Sequence, residues 1–197
     1  MYLIVGLGNP GLEFENTRHN AGFLALDEIA LMLKQTFKLE SKFFGMTAKG
    51  IYKGNKYILL KPITYVNLSG RAIIRVIQYY KIPIENIIII YDDINIEFNY
   101  LRLREKGGDG GHNGMKNIVN TLKSTDFKRA RIGVGNNKQI AQDKFVLSKF
   151  SNHELHELQS LFNDIANLSL KIIEGISFID IMTEYNTKYK WLIKYVI

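Results

Sequence analysis

The sequence predicts a single α/β domain: a mixed, twisted central sheet with helices on both faces. Three observations predict it. Residues 2–7 form a short apolar, β-rich run halted by glycine, and Asn86 to Tyr91 holds four consecutive isoleucines, a pattern typical of a strand buried on both faces. Between and after these runs lie segments with apolar residues at helical spacing, so strands and helices interleave. With 197 residues, 46% of them hydrophobic, the chain can bury one proper core, so residues 1–197 read as one domain.

Each element follows in order. Ala21 to Lys34 carries Phe23, Leu24, Leu26, Ile29, Ala30 and Leu33 at helical period, with Asn20 as its N-cap. Residues 44–52 and 56–61 read as a hairpin around Lys53-Gly54-Asn55. Leu68 to Lys81 is helical, and Asn67 or Ser69 stands where its cap belongs. The isoleucine strand ends in Asp92-Asp93; neighbouring side chains on a strand point opposite ways, which aims one carboxylate at a crevice and the other at solvent. Residues 99–105 alternate apolar and basic, as a half-exposed strand does. A glycine loop, 107–114, leads into a helix to about Lys123, and Lys128 to Val134 is a strand with Arg129 and Arg131 on one face. A long amphipathic helix over 151–174 and a shorter one over 177–186 follow, with a basic, aromatic tail over 187–197.

Composition excludes several classes. The absence of cysteine rules out disulfides and thiolate metal sites. The first five residues are too short for a secretory h-region, and no apolar run approaches a membrane span, so a cytoplasmic protein with no membrane partner is expected. Net charge is +7, and between Arg102 and Arg131 eight basic residues face three acids, so the excess is concentrated and favours a polyanion such as nucleic acid.

In open α/β sheets, ligands sit beyond the carboxyl ends of the strands. Asn9 and His19 follow the first strand, and Asp92 ends the isoleucine strand. If those strands are parallel neighbours, His19 and Asp92 face one crevice. His19 then has three readings: a structural histidine, a metal ligand, or a general base oriented by Asp92. The metal reading lacks ligand-spaced partners in the sequence. Gly6-Leu7-Gly8-Asn9-Pro10-Gly11 formally matches the dinucleotide fingerprint, but Pro10 and the polar stretch to Asn20 delay the helix by about ten residues. Gly110-Gly111-His112-Asn113-Gly114 opens a helix and, with Arg102, Arg104, Arg129 and Arg131, suits a phosphate; it also reads as an ordinary glycine loop with a His or Asn cap. His153 and His156 fall on a charged helical face at i, i+3, not the H-E-x-x-H spacing of zinc proteases, so a solvated surface is expected there rather than a metal site.

Five motifs in register then carry a resemblance: Gly6-Leu7-Gly8-Asn9-Pro10-Gly11, Thr17-Arg18-His19-Asn20-Ala21-Gly22, Lys61-Pro62 with Tyr65-x-Asn67-Leu68-Ser69-Gly70, Tyr91-Asp92-Asp93, and Gly110-Gly111-His112-Asn113-Gly114. Together they resemble bacterial-type peptidyl-tRNA hydrolase over nearly the whole chain, least clearly after about residue 186. The resemblance implies that family's fold and a monomeric, cytosolic esterase without cofactor, metal or obligate protein partner. Such an enzyme cleaves the ester between a peptide, or an N-blocked amino acid, and the tRNA 3′ ribose, and so recycles tRNA during translation. It implies catalytic roles for His19 (general base), Asp92 (holding His19 in its basic form) and Asn9 (telling N-blocked from free aminoacyl-tRNA). It implies substrate or tRNA contacts for Phe14, Tyr65, Asn67, His112, Asn113, Arg102, Arg104 and Arg131, which would engage the peptide portion, the 3′ end and the acceptor stem. Two departures stand out: Phe14 where the family often has Tyr, and Val66 where it usually has Met.

Overall fold

The structure, a computed structural model, describes residues 1–191. Seven strands form one sheet: β1 (Tyr2–Gly6), β2 (Lys38–Glu40), β3 (Gly45–Tyr52), β4 (Asn55–Pro62), β5 (Ile87–Asp93), β6 (Leu101–Arg104) and β7 (Lys128–Gly133). Their order is β2-β3-β4-β1-β5-β7-β6. The four central strands, β4, β1, β5 and β7, run parallel; β3 pairs antiparallel with β4 and β2 antiparallel with β3 on one side, and β6 pairs antiparallel with β7 on the other. β1 and β5 are parallel neighbours, with Gly6 beside Ile90, so the condition for a shared crevice holds.

Among the described residues, six helices cover the sheet: α1 (Ala21–Met32), α2 (Gly70–Tyr80), α3 (Asn113–Leu122), the short α4 (Gln142–Val146), α5 (Asn152–Glu174) and α6 (Phe178–Trp191). Strand alternation splits the core into two layers. Ile4, Leu59, Ile88 and Ile90 pack with α1, α5 and α6, while Leu3, Val5, Ile87 and Ile89 pack with α2 and α3. All four isoleucines of β5 are 0–1% exposed. Burying such a side chain contributes about 1.5–3 kcal/mol, which accounts for the unbroken apolar run.

The hairpin forms with a two-residue turn, in which Lys53 and Gly54 both have positive φ (44° and 84°). That geometry matches the twist of the paired strands. α5 begins in a reciprocal box between Ser151 and Glu154. α6 runs to Trp191, further than the helical pattern over 177–186 indicated, so the expected tail from 187 is helical for its first five positions; the rest lies outside the described residues. The three-residue β2 and the five-residue α4 were not foreseen.

The glycines of the first motif have a packing role. An ideal Cβ on Gly6 would sit 2.2 Å from the carbonyl oxygen of Gly22, and one on Gly22 would sit 2.4 Å from that of Ile90. Real Cβ atoms do not come so close, so only glycine lets the start of α1 press onto the carboxyl ends of β1 and β5. The single turn Arg18–Asn20 just before α1 is thereby carried to the carboxyl ends of these two central strands.

Candidate active site

His19 and Asp92 meet at the carboxyl ends of β1 and β5. His19 is 8% exposed and Asp92 2%. The His19 Nδ1–H donates to both carboxylate oxygens, at 2.9 and 3.0 Å. An ionised carboxylate only accepts, so this contact places the proton on Nδ1 and leaves the Nε2 lone pair outward. No hydrogen bond among the described residues occupies Nε2.

His112 supplies a second donor. Its Nδ1 accepts from the Met115 N–H at 3.1 Å, so it is the N-cap of α3. The proton therefore sits on Nε2, which donates to Asp92 Oδ1 at 3.1 Å. The two imidazole rings lie 4.9 Å apart. The first turn of α3 is thus tied directly to the carboxylate that orients His19.

The electrostatics follow from this arrangement. Burial alone would lower the His19 pKa, but the Asp92 charge and hydrogen bond outweigh it and hold the imidazole above its ordinary value. Burial alone would raise the Asp92 carboxyl; the two imidazoles override it and hold the acid well below the usual carboxylate range. Sequence spacing indicated no metal cluster around His19, yet the fold brings single ligand atoms of His19, Asp92 and His112 within 4.8 Å of one another. They alternate as hydrogen-bond donor, acceptor and donor, whereas a metal ligand must present a lone pair. The set as arranged fits a hydrogen-bonded chain.

Asn9, 7% exposed, is held from three sides. Its Oδ1 accepts the Val66 N–H at 2.8 Å, which turns its Nδ2 donor away from Val66. Its backbone N–H donates to Asn20 Oδ1 (2.8 Å), and its carbonyl accepts from Asn20 Nδ2 (3.0 Å). Asn20 therefore does not cap α1 as expected; its side chain is spent on Asn9. The Asn67 and Ser69 caps do not form either. Ser69 bonds back to the Val66 carbonyl, and Asn117 of α3 accepts the Gly70 N–H instead. The Asn67 side chain is exposed on the turn Val66–Leu68. The contact from Val66 is a main-chain one, so the departure from Met at this position leaves it intact.

A cleft of about 640 Å³ opens over the pair, lined among others by His19, Asp92, His112, Asn113, Gln142 and Val146. Phe14 and Tyr65 stand apart from that lining and meet edge to face at 6.4 Å, with Tyr65 60% exposed; the Phe14 ring makes this contact without a hydroxyl. The α4 wall was not foreseen, since its polar segment lacks apolar periodicity.

Arg102 and Arg104 lie directly opposite Arg131 and Arg129 on one face of β6 and β7. Like charges face each other there, which is unfavourable without counter-charge. Asp93 provides part of it: Arg131 donates to its Oδ2 at 2.8 Å through Nε. Asp93 is thus 6% exposed and ion-paired, not the solvent-facing carboxylate expected. Arg129 is 2% exposed and bonds the carbonyls of Gly108 and Thr125, so it is not a surface contact for a polyanion. Arg104 and Arg131 share a depression with Gly107, Gly108 and Gly110, and Gly110 also lines the His19 cleft. One glycine loop separates the basic face from the histidine.

Arg18 sets the other side. Its guanidinium lies 4.8 and 4.9 Å from the centroids of Phe145 and Phe150 and bonds Glu154 at 2.8 Å. Its N–H donates to the Ser148 carbonyl, which ties the His19 turn to the segment after α4. His153, whose side chain is 82% exposed, is on the solvated face expected.

The family model described as peptidyl-tRNA hydrolase matches residues 3–191. The peptidyl-tRNA hydrolase of Clostridium acetobutylicum is 44% identical over 188 residues, covering 94% of this chain and 98% of that protein. That of Clostridium tetani is 47% identical over 173 residues, covering 88% and 91%. The crystal structure of peptidyl-tRNA hydrolase from Acinetobacter baumannii superimposes with a TM-score of 0.87 at 33% identity, covering 94% of each chain. With the same fold, a family match along nearly its whole length and a buried His–Asp pair at the carboxyl ends of the central strands, the chain belongs to the bacterial-type peptidyl-tRNA hydrolase family.

Proposed function

We propose that the chain hydrolyses the ester between a peptide and the 3′ ribose of tRNA, with His19 as the general base that takes a proton from the attacking water at Nε2. The observation that carries this reading is the buried His19–Asp92 pair, which fixes one tautomer and leaves the basic nitrogen outward. As the water is deprotonated, His19 becomes an imidazolium, and Asp92 stabilises that charge as it forms. An aminoacyl ester is already activated, so one oriented base and a few amide donors suffice. Asn9 and Asn113 supply such donors, Asn113 at the first position of α3, where the helix dipole favours developing negative charge.

Asn9 reads the N-blocked end of the substrate. Its Nδ2 donates, and an acylated α-nitrogen brings a carbonyl that accepts, whereas a free α-ammonium offers donors only. Phe14, Tyr65 and Asn67 hold the peptide and the terminal nucleotide, and His112 contributes to that surface while bonded to Asp92. Arg102, Arg104 and Arg131 meet acceptor-stem phosphates. No described helix is long and apolar enough to cross a membrane. The activity proposed here is that of a monomer working in the cytoplasm.

The test is release of an N-acetylated amino acid from tRNA, compared with unblocked aminoacyl-tRNA. Cleavage of the blocked substrate far faster than of the unblocked one is expected; no turnover by pure, folded protein would overturn the reading.

A further inference from the structure

Asn20 belongs to neither the catalytic pair nor the substrate contacts assigned above, yet it is 5% exposed and uses both ends of its carboxamide on one residue. Oδ1 accepts the Asn9 N–H at 2.8 Å and Nδ2 donates to the Asn9 carbonyl at 3.0 Å, a pairing that fixes which end is oxygen. The approach is tight: a Cβ on Gly8 would lie 2.9 Å from Asn20 Oδ1 and 2.8 Å from the Phe23 ring. Asn9 has no second main-chain restraint from the sheet, since β1 ends at Gly6. Asn20 also follows His19 directly, in the same turn Arg18–Asn20, whose last N–H bonds the Thr17 carbonyl. The base and the bracket on Asn9 therefore move as one unit.

We propose that Asn20 is a positioning and specificity-determining residue: by clamping the Asn9 main chain beside His19, it fixes where the Asn9 amide stands relative to the base. It thereby sets the preference for N-blocked over free aminoacyl-tRNA. This rests on the reading of Asn9 given above. With the clamp in place, Oδ1 stays on Val66 and the Asn9 carboxamide is held in one orientation against the turn that carries His19. Without it, the Asn9 backbone can rotate, and an accepting carbonyl and a donating ammonium are no longer told apart by geometry.

The experiment compares Asn20→Ala, Asn20→Asp and Asn9→Ala with the parent on N-acetyl-aminoacyl-tRNA and on aminoacyl-tRNA, with rates scaled to the folded fraction from thermal melting. Asn20→Asp keeps an acceptor for the Asn9 N–H but sets a carboxylate oxygen against its carbonyl, so it should resemble the alanine variant. Expected for both Asn20 variants is a fall in kcat on the blocked substrate of about 10–100-fold, the loss set by one misplaced hydrogen bond. KM should stay within about threefold, the acid limb of the pH–rate profile should not move, and the blocked-to-free ratio should drop about tenfold. A fall in kcat with the ratio unchanged, or no change in either, overturns the role of Asn20 provided Asn9→Ala lowers the ratio. If Asn9→Ala leaves the ratio intact, the reading of Asn9 fails and takes this proposal with it. Should the alanine variant not fold, the aspartate variant decides by the same ratio.

Discussion

Replacing Asp92 with Asn tests the electrostatic core of the site. Asp92 takes three contacts in the folded protein, two from His19 Nδ1–H at 2.9 and 3.0 Å and one from His112 Nε2–H at 3.1 Å. An asparagine presents one oxygen and one NH2 in the same space. If the oxygen serves both imidazoles, the NH2 is left against the His19 N–H, donor against donor. The alternative is that His19 accepts at Nδ1 and moves its proton to Nε2, which removes the lone pair that deprotonates water. Either way the productive tautomer loses its advantage, and the forming imidazolium loses a carboxylate at hydrogen-bond distance. A charge-assisted hydrogen bond contributes about 1.5–3 kcal/mol, and misorienting the base adds to it. A fall in kcat of about 10²–10⁴-fold follows, or about 3–5 kcal/mol of barrier. His19 is raised in the folded protein by Asp92, so the base becomes active only as pH climbs through that raised value. Asp92→Asn should therefore move the acid limb of the rate profile to lower pH while lowering the plateau. The assay is kcat and KM on N-acetyl-aminoacyl-tRNA from about pH 5 to 9, the range spanned by histidine titration. A plateau within about threefold of the parent, with the limb unmoved, would show that Asp92 does not orient the base.

Four further outcomes are expected. His19→Ala should abolish turnover while tRNA binding persists, and a chelator should leave the parent rate unchanged; a variant with near-full activity means another residue is the base. Arg104 is exposed and Arg131 pairs with buried Asp93, so alanine at either should reduce the salt slope of tRNA binding by about one. Only Arg131→Ala should also lower Tm, because it strands a buried carboxylate, and equal melting of the two variants would contradict that pairing. Gly22→Ala places a Cβ 2.4 Å from the Ile90 carbonyl and 2.5 Å from the Leu7 nitrogen. The expected cost is about 1–3 kcal/mol, a fall in Tm of about 3–10 °C, and an unshifted melt would refute the close approach of α1. Finally, the His19–Asp92 contact should favour the fold only within a pH window. Raised His19 contributes fully below about pH 6.5 and less as pH rises through its folded value, whereas depressed Asp92 contributes above about pH 4 and less as pH falls. The gap in Tm between parent and Asp92→Asn should thus be widest near pH 5–6 and narrow on both sides, and a gap independent of pH would mean that the pair does not titrate as linked groups.

Much of this was legible in the chain. Four consecutive isoleucines need burial on both faces, so the strand they form is central to the sheet, and Asp92 lies at its carboxyl end, where open α/β sheets take their ligands. Helical period fixed most helices to within a few residues, and the hairpin followed from Lys53-Gly54. Five motifs in register carried the family. The sequence could not assign side chains with more than one use. Asn20, Asn67 and Ser69 all sit where caps belong, yet none caps: Asn20 is taken by Asn9, and Asn117, 47 residues on, serves Gly70. His112 reads as a loop cap or a substrate contact, and only the folded chain shows one ring capping α3 while bonding the Asp92 carboxylate. Local propensity and periodicity depend on neighbours a few residues apart, and these the sequence contains. Which acceptor a polar side chain finds depends on groups brought within 3 Å from distant parts of the chain, and that was decided by the packing of α1 onto β1 and β5 through glycines that allow no side chain.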